Sequence, residues 1–147
     1  MSSLSTETRF KLESEDKQVV EISRSALRHA PTLYSIAASH AFDPAAIGTI
    51  PVSDVDGDVL TMIVEWCEMH KKNKKMEPES RPFSLEMPKK DQKFVDSKST
   101  AELFQVMNAA SHLGIVGLIE VTSKKVAGMM RGRTPQELRD IFGIPAD

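Results

Sequence analysis

The chain has 147 residues, of which 40% are hydrophobic and 5% aromatic, and its formal net charge is −2 at pH 7. This length predicts one domain, or one domain with an extension, and the apolar fraction suffices for a core. The charge favours neither nucleic acid nor an anionic membrane as a partner, and no apolar run of about 18 residues predicts a membrane span. The polar start MSSLSTETRF is unlike a signal peptide, and a single cysteine, Cys67, fits a reducing intracellular compartment.

The first part of the chain predicts a β-hairpin. Residues 1–8 are rich in Ser and Thr, and we expect them to be disordered. Polar and apolar residues alternate over 9–13 and resume at Val20 and Ile22, on either side of the polar residues 14–17. This alternation is typical of two half-buried strands joined by a turn.

Two short helices and an edge strand follow the hairpin. Ser23 is expected to cap a short helix, and Pro31 to begin the next one, because proline suits the first helical turn. Residues 50–53 predict a short strand, in which Pro51 implies a position at the edge or end of the sheet.

The strongest single helix runs from Asp58 to about Lys72. Its apolar residues repeat with helical spacing, and we interpret Trp66 and Cys67 as core residues. The next stretch, 73–92, is rich in charge and proline and predicts a flexible, exposed linker loop.

Three capped helices are predicted between residues 99 and 144. The first begins at a capping box, Ser99 to Glu102, and ends at Gly114. The second ends near Gly132, and the third begins at Thr134-Pro135. Three short amphipathic helices cannot bury their apolar faces alone, so they must pack on a platform or a partner.

The sequence offers no persuasive catalytic or metal site, and we expect no cofactor and no enzymatic activity. The acids of 54–58 with Glu65 faintly match a calcium loop, but Val59 stands where that loop needs glycine, so a helix N-terminus explains them better. The four histidines are not spaced to share a metal with Cys67. The lysines of 71–75 could be a nuclear signal or an acid-binding tail, but a solvated helix end is the better interpretation.

Four ordered blocks of the chain resemble the S-phase kinase-associated protein 1 family, the adaptor subunit of SCF (cullin–RING) ubiquitin ligases. They are FKLESEDKQVVEI at 10–22, IPVSDVDGDVLTMIVEWCEMHKK at 50–72, the stretch from DQKFVDSKSTAELF through RGRTPQEL at 91–138, and IFGI at 141–144. The family's Trp before "DQ" is Lys90 here.

The resemblance implies an α+β architecture, a BTB/POZ-type fold with a small three-stranded sheet and a C-terminal helical extension. A BTB/POZ-like N-terminal half would span 9–72, its helical completion 93–130, and an F-box-binding extension 131–147. The family continues beyond the equivalent of Asp147 into a further acidic helix, so we expect a divergent or truncated member whose extension lacks that final helix.

The resemblance also implies two partners, a cullin N-terminal domain and F-box proteins, with a cytoplasmic and nuclear location. A family contact with the cullin, Asn-Tyr, falls on Ser111 and His112. The positions that match the family's F-box contacts are Ile119, Ser123 (a Cys in the family), Val126, Met130, Pro135, Leu138, Phe142 and Ile144.

A second hypothesis is a BTB-like structural protein that self-associates, for example as a homodimer, and serves a scaffold outside the ubiquitin pathway. The changed residues Ser111 and His112 and the expected lack of the final helix motivate this alternative.

Overall fold

The sheet of this fold has three strands, in the order β2-β1-β3. A computed structural model of the chain describes residues 9–39, 49–73 and 85–142. Strand β1 (Arg9–Glu13) pairs antiparallel with β2 (Val19–Ser23), and β3 (Thr49–Pro51) runs parallel to β1 on its other side. The predicted hairpin and the edge position of Pro51 are therefore confirmed, and the predicted disorder of 1–8 lies outside the described residues.

The alternation in β1 determines which face of the sheet is buried. Phe10 and Leu12 are buried, whereas Arg9 and Lys11 point to solvent. Phe10 lies opposite the buried Ile22 of β2 in the antiparallel register. One face of the sheet thus joins the core and the other remains wet, as expected for a period of two.

Two short helices follow the sheet's second strand. Helix α1 (Arg24–Leu27) is capped by Ser23, whose hydroxyl accepts from the Ala26 N–H at 3.2 Å, and α2 (Pro31–Ser39) begins at the predicted proline. Glu68 accepts hydrogen bonds from the Ser23 N–H at 2.8 Å and from the Ser23 hydroxyl at 3.0 Å. These bonds tie the start of α1 to the long helix that contains Glu68.

Helix α3 (Gly57–Met69) is the central packing element. It buries Val59, Leu60, Ile63, Trp66 and Cys67, and it packs on β2, α1 and the helix that begins at Thr100. The expected core roles of Trp66 and Cys67 are confirmed, because neither side chain is accessible to solvent. The helix ends at Met69, with His70 as its C-cap, slightly earlier than predicted.

The C-terminal part of the chain consists of four helices in the described region: α4 (Lys89–Asp96), α5 (Thr100–Leu113), α6 (Val116–Met130) and α7 (Pro135–Phe142). Helix α5 packs on α3 and α6, α4 packs on α6, and α7 contacts α5. Together with the sheet, these helices form the predicted α+β fold with a C-terminal run of helices.

The linker predicted over 73–92 is wrong in its last four residues. Helix α4 already begins at Lys89, and its third residue, Asp91, is only 2% exposed. Proline and lysine density obscured the short apolar pattern of this helix, in which Asp91 shares one face with the buried Phe94 and Val95. Residues 74–84, the middle of the predicted linker, lie outside the described residues.

Candidate functional site

Both ends of α5 are defined by caps. The Ser99 hydroxyl accepts from the Glu102 N–H at 3.1 Å, while Glu102 accepts from the Ser99 N–H at 2.9 Å, so the predicted capping box is confirmed. Gly114 ends α5 in the left-handed conformation, with φ of 71°, where glycine carries no steric penalty. The turn at Gly114 therefore sets how the last turn of α5 meets the first turn of α6.

Four predicted F-box positions form one stripe on α6. Ile119, Ser123, Val126 and Met130 are separated by four, three and four residues, which places them on one side of a helix. The first three are half-buried, and Met130 is 46% exposed, one of the two large hydrophobic side chains that the described residues leave exposed. We call these four residues the α6 stripe.

Other sides of α6 are held by the rest of the fold. Leu118, Val121 and Thr122 are buried, and Lys125 forms an ion pair with Asp96 of α4 at 2.8 Å. The Lys124 ammonium donates to the backbone carbonyl of Glu86 at 2.6 Å, just before α4 begins. The α6 stripe therefore stands on a helix anchored through its other residues.

Helix α7 carries three further predicted F-box positions, Pro135, Leu138 and Phe142. Its predicted cap is confirmed: the Thr134 hydroxyl accepts from the Glu137 N–H at 3.2 Å, and Glu137 accepts from the Thr134 N–H at 2.9 Å. Pro135 is exposed and Leu138 is half-buried. Phe142 is the last residue of α7 and its side chain is outside the description, as is all of Ile144.

A depression between α5 and α6 joins residues that the resemblance assigns to two partners. Ser111, Ile119 and Ser123 line it, and its volume is about 550 Å³. The Ser123 hydroxyl approaches the Met107 sulfur at 3.9 Å across this corner. Ser111, predicted to face a cullin, thus lies beside the first half of the α6 stripe.

His112 faces a second, acidic depression. Its volume is about 440 Å³, and its wall includes Glu15 from the hairpin turn and Asp54 and Asp56 from the loop before α3. Sequence reasoning missed these three acids as neighbours of His112, because only the tertiary fold brings the hairpin turn and α5 together. The two predicted cullin residues are adjacent in sequence but line different depressions.

Trp66, His70 and Asp91 form a buried polar cluster, and none of them lines either depression. Trp66 donates its indole N–H to Asp91 at 2.9 Å, and His70 contacts the same carboxylate oxygen at 2.7 Å. Sequence reasoning missed this cluster because it placed Asp91 in a loop. A helical spacing from Asp91 to Phe94 and Val95 was the signal that could have located it.

The Cys67 thiol is unreactive in this fold. Desolvation by burial, with a smaller contribution from the charge of Glu68, raises the pKa of the Cys67 thiol to about 12, so the thiolate that would attack or bind metal is suppressed. Among the described residues no three His, Cys, Asp or Glu side chains are grouped to hold a metal ion. In the same part of the chain, no helix combines the length and the apolar character that a membrane crossing requires.

Comparison with known families gives two matches on this chain. A model described as the Skp1 family tetramerisation domain matches residues 8–72, and one described as the Skp1 family dimerisation domain matches residues 116–147.

Similar individual proteins come from several kingdoms. The S-phase kinase-associated protein 1 homolog of Tetrahymena thermophila is 28% identical over 95% of this chain and 84% of its own length. SKP1-like protein 5 of Arabidopsis thaliana is 32% identical over 95% of this chain and 87% of its own. The E3 ubiquitin ligase complex SCF subunit sconC of Talaromyces stipitatus is 35% identical over 67% of this chain and 62% of its own.

Proposed function

We propose that this chain, which belongs to the Skp1 family, is a non-catalytic adaptor of an SCF-type E3 ubiquitin ligase. In this role it bridges a cullin N-terminal domain to F-box proteins, which select substrates for ubiquitin-dependent degradation. The adaptor role is supported by relatives that are themselves named as SCF ligase subunits.

The observation that carries the F-box half of the proposal is the α6 stripe. An apolar stripe that ends in an exposed methionine suits the docking of a partner helix, and methionine adapts its shape to different partners. The stripe lies on a helix whose other sides are already buried or ion-paired, so a partner can cover it without unfolding the chain. Leu138 and Pro135 of α7 extend this F-box surface.

The cullin half of the proposal rests on the exposed end of α5. Ser111 and His112 are both exposed there, at the corner where α5 turns into α6. A cullin helix that docks at this corner contacts small and polar side chains, so its contribution to affinity comes from shape and hydrogen bonding more than from a large aromatic anchor.

A binding assay with purified components tests the proposal. The chain is mixed with a cullin N-terminal domain, with an F-box segment, and with both together, and complexes are separated by size-exclusion chromatography at micromolar concentration. We expect each two-component complex and a three-component complex. Failure to hold either partner at this concentration contradicts the adaptor role.

We also propose a cytoplasmic and nuclear location, in keeping with a chain whose single cysteine is a buried free thiol. Imaging of a tagged full-length chain in cells tests it. Signal confined to the secretory pathway would contradict it.

Self-association is the second candidate function, because the two matching family models are described as dimerisation and tetramerisation domains. Sedimentation of the isolated chain decides this point. A strictly monomeric chain across micromolar concentrations excludes a homotypic scaffold, whereas a dimer that dissociates when an F-box segment is added places self-association on the F-box surface.

A further inference from the structure

A buried polar cluster joins the end of α3 to the start of α4. Asp91 is 2% exposed and His70 6% exposed. One carboxylate oxygen of Asp91 accepts from the Trp66 indole N–H at 2.9 Å and lies 2.7 Å from Nε2 of His70. An ionised carboxylate at this depth is costly unless a cation pairs with it.

The second ring nitrogen of His70 also faces an oxygen. Its Nδ1 lies 3.0 Å from Oδ1 of Asn73, and the ammonium of Lys90 donates to the same oxygen at 3.1 Å. An ammonium has only hydrogens to offer, so the atom it contacts is the amide oxygen of Asn73 and not its NH₂ group. Both nitrogens of the His70 ring therefore meet hydrogen-bond acceptors.

While Asp91 is ionised, only the doubly protonated ring can donate to both oxygens. A neutral imidazole has a single N–H, so it would turn a lone pair towards either Asp91 or Asn73. Rotating the Asn73 amide would give a neutral ring a donor at Nδ1, but the amide NH₂ would then face the Lys90 ammonium. We propose that His70 is an imidazolium inside the fold, donating to Asp91 and to Asn73 at once, and that this proton links the end of α3 to the start of α4.

Several neighbouring groups act on this charge. The Trp66 ring lies 4.3 Å from the His70 ring, centroid to centroid, and His70 caps the C-terminus of α3, where the helix dipole favours a cation. His29 contacts the carbonyl oxygen of His70 at 2.6 Å through its Nε2. Charged groups among the described residues at this end of the helix include Glu68, which favours the proton, and Arg28, Lys71 and Lys90, which oppose it.

The link supports the platform on which α6 rests. Helix α4 packs on α6, and Asp96 near its end pairs with Lys125. Loss of the His70 proton would turn a ring lone pair towards either the buried Asp91 carboxylate or the exposed Asn73 amide oxygen, which weakens the contact between the two ends at higher pH. This contact between α3 and α4 lies within the fold and does not depend on which partner α6 binds.

Nitrogen-15 NMR of the full chain labelled at histidine tests the proposal directly. At pH 7 we expect both ring nitrogens of His70 to carry hydrogen, with the signal assigned by its proximity to the Trp66 indole and by its loss in His70→Gln. A His70 ring with a single protonated nitrogen at this pH would overturn the proposal.

Fluorescence identifies the histidine that releases the proton. Trp66 is the only tryptophan in the chain, and a protonated imidazole in contact with an indole quenches its emission. We expect emission to rise when pH increases through the range where histidines change charge, roughly pH 5 to 8. The rise should be lost in His70→Gln and kept in His29→Gln, whose ring also lies near Trp66. Persistence of the same rise in His70→Gln would assign the proton to another group and overturn the proposal.

Discussion

Ser111 of α5 and Ile119 of α6 line the same depression, although the family resemblance assigns them to different partners. The left-handed turn at Gly114 is what brings the two helices to this corner. Ser111 therefore borders both predicted surfaces, whereas His112 lines the neighbouring acidic depression, which shares Gln105 and Asn108 with the first.

A bulky residue at Ser111 should affect both partners, and a truncation at His112 only one. Ser111→Phe fills the α5–α6 depression with an aromatic ring, and we expect it to weaken binding of the F-box segment as well as of the cullin domain. His112→Ala removes a side chain from the acidic side, and we expect weaker cullin binding alone. Titration calorimetry with each partner measures both effects. Equal losses of F-box affinity in the two variants would contradict the geometry.

The two glycines of α3 and α6 should respond to alanine in opposite directions. A Cβ on Gly57 would lie 2.3 Å from Cδ of Gln18 and 2.8 Å from its Cβ, so Gly57→Ala forces the hairpin turn away from α3 and should cost about 1–3 kcal/mol. A Cβ on Gly128 meets its nearest atom, in Leu85, at 4.0 Å, and Gly128→Ala should stabilise the chain by about 0.5–1 kcal/mol. Urea unfolding measures both changes, and a stabilising Gly57→Ala would show that the hairpin turn does not press on α3.

Acid should weaken the contact between the hairpin turn and α3. The Asp16 carboxylate accepts from the Ser14 hydroxyl, from the Gly57 N–H at 2.9 Å and from the Gln18 amide at 3.0 Å, and the bond from Ser14 is the largest of the effects that lower its pKa. Because the folded-state pKa of Asp16 is depressed, its carboxylate contributes stability at pH above the unfolded-state pKa, about 3.9. This contribution is lost as pH falls through the lower folded-state pKa.

Asp16→Asn tests this contribution. We expect the variant to be less stable than the wild-type chain at neutral pH, and the difference to shrink as pH falls below about 4. Asp58→Asn is the matched control, because Asp58 is also an exposed acid and lies in the first turn of α3, next to Gly57. A difference that stays constant down to about pH 2 would mean that the charge of Asp16 contributes nothing to this contact.

Local patterns predicted most of this fold because their causes are local. Ser99, Thr134 and Pro31 mark helix starts through contacts within one turn, and the alternation around Phe10 needs only the pleat of a strand. The BTB/POZ-type arrangement came from the family resemblance, since periodicity alone does not specify which elements pack together.

The missed features all depend on residues far apart in the sequence. The sequence around Asp16 indicates only a polar turn residue, yet Asp16 lies against Gly57, 41 positions away. Asp91 is separated from Trp66 by 25 positions and stands in a stretch of charges and prolines. The grouping of Glu15 with His112 likewise depends on tertiary packing. The individual partner contacts of the α6 stripe stay predictions.

Removing Asp91 should cost far more than removing its neighbour Asp96. Both acids belong to α4, but Asp91 is buried between Trp66 and His70, whereas Asp96 pairs with Lys125 at the surface. Breaking a buried pair typically costs about 3–5 kcal/mol, and an exposed one about 0–1 kcal/mol. Chemical unfolding of Asp91→Ala and Asp96→Ala compares them directly. Similar losses in the two variants would show that the buried cluster does not hold α4 in place.

The α6 stripe can be tested with a pair of matched substitutions. Met130 is 46% exposed on the stripe and Val19 is 54% exposed on β2, so an aspartate at either position should leave the free energy of unfolding within about 0.5 kcal/mol of wild type. On the proposed F-box surface, Met130→Asp places a charge into an apolar contact and should lower affinity for an F-box segment at least tenfold, about 1.4 kcal/mol.

Val19→Asp makes the same chemical change away from α6 and should bind the F-box segment like the wild-type chain. Unfolding curves and binding titrations of both variants separate the two effects. If Met130→Asp unfolds the chain, Met130 contributes to the core and the stripe ends before it. If Met130→Asp folds and binds normally, the partner contacts another face, because a buried aspartate without a partner cannot be neutral in an apolar interface.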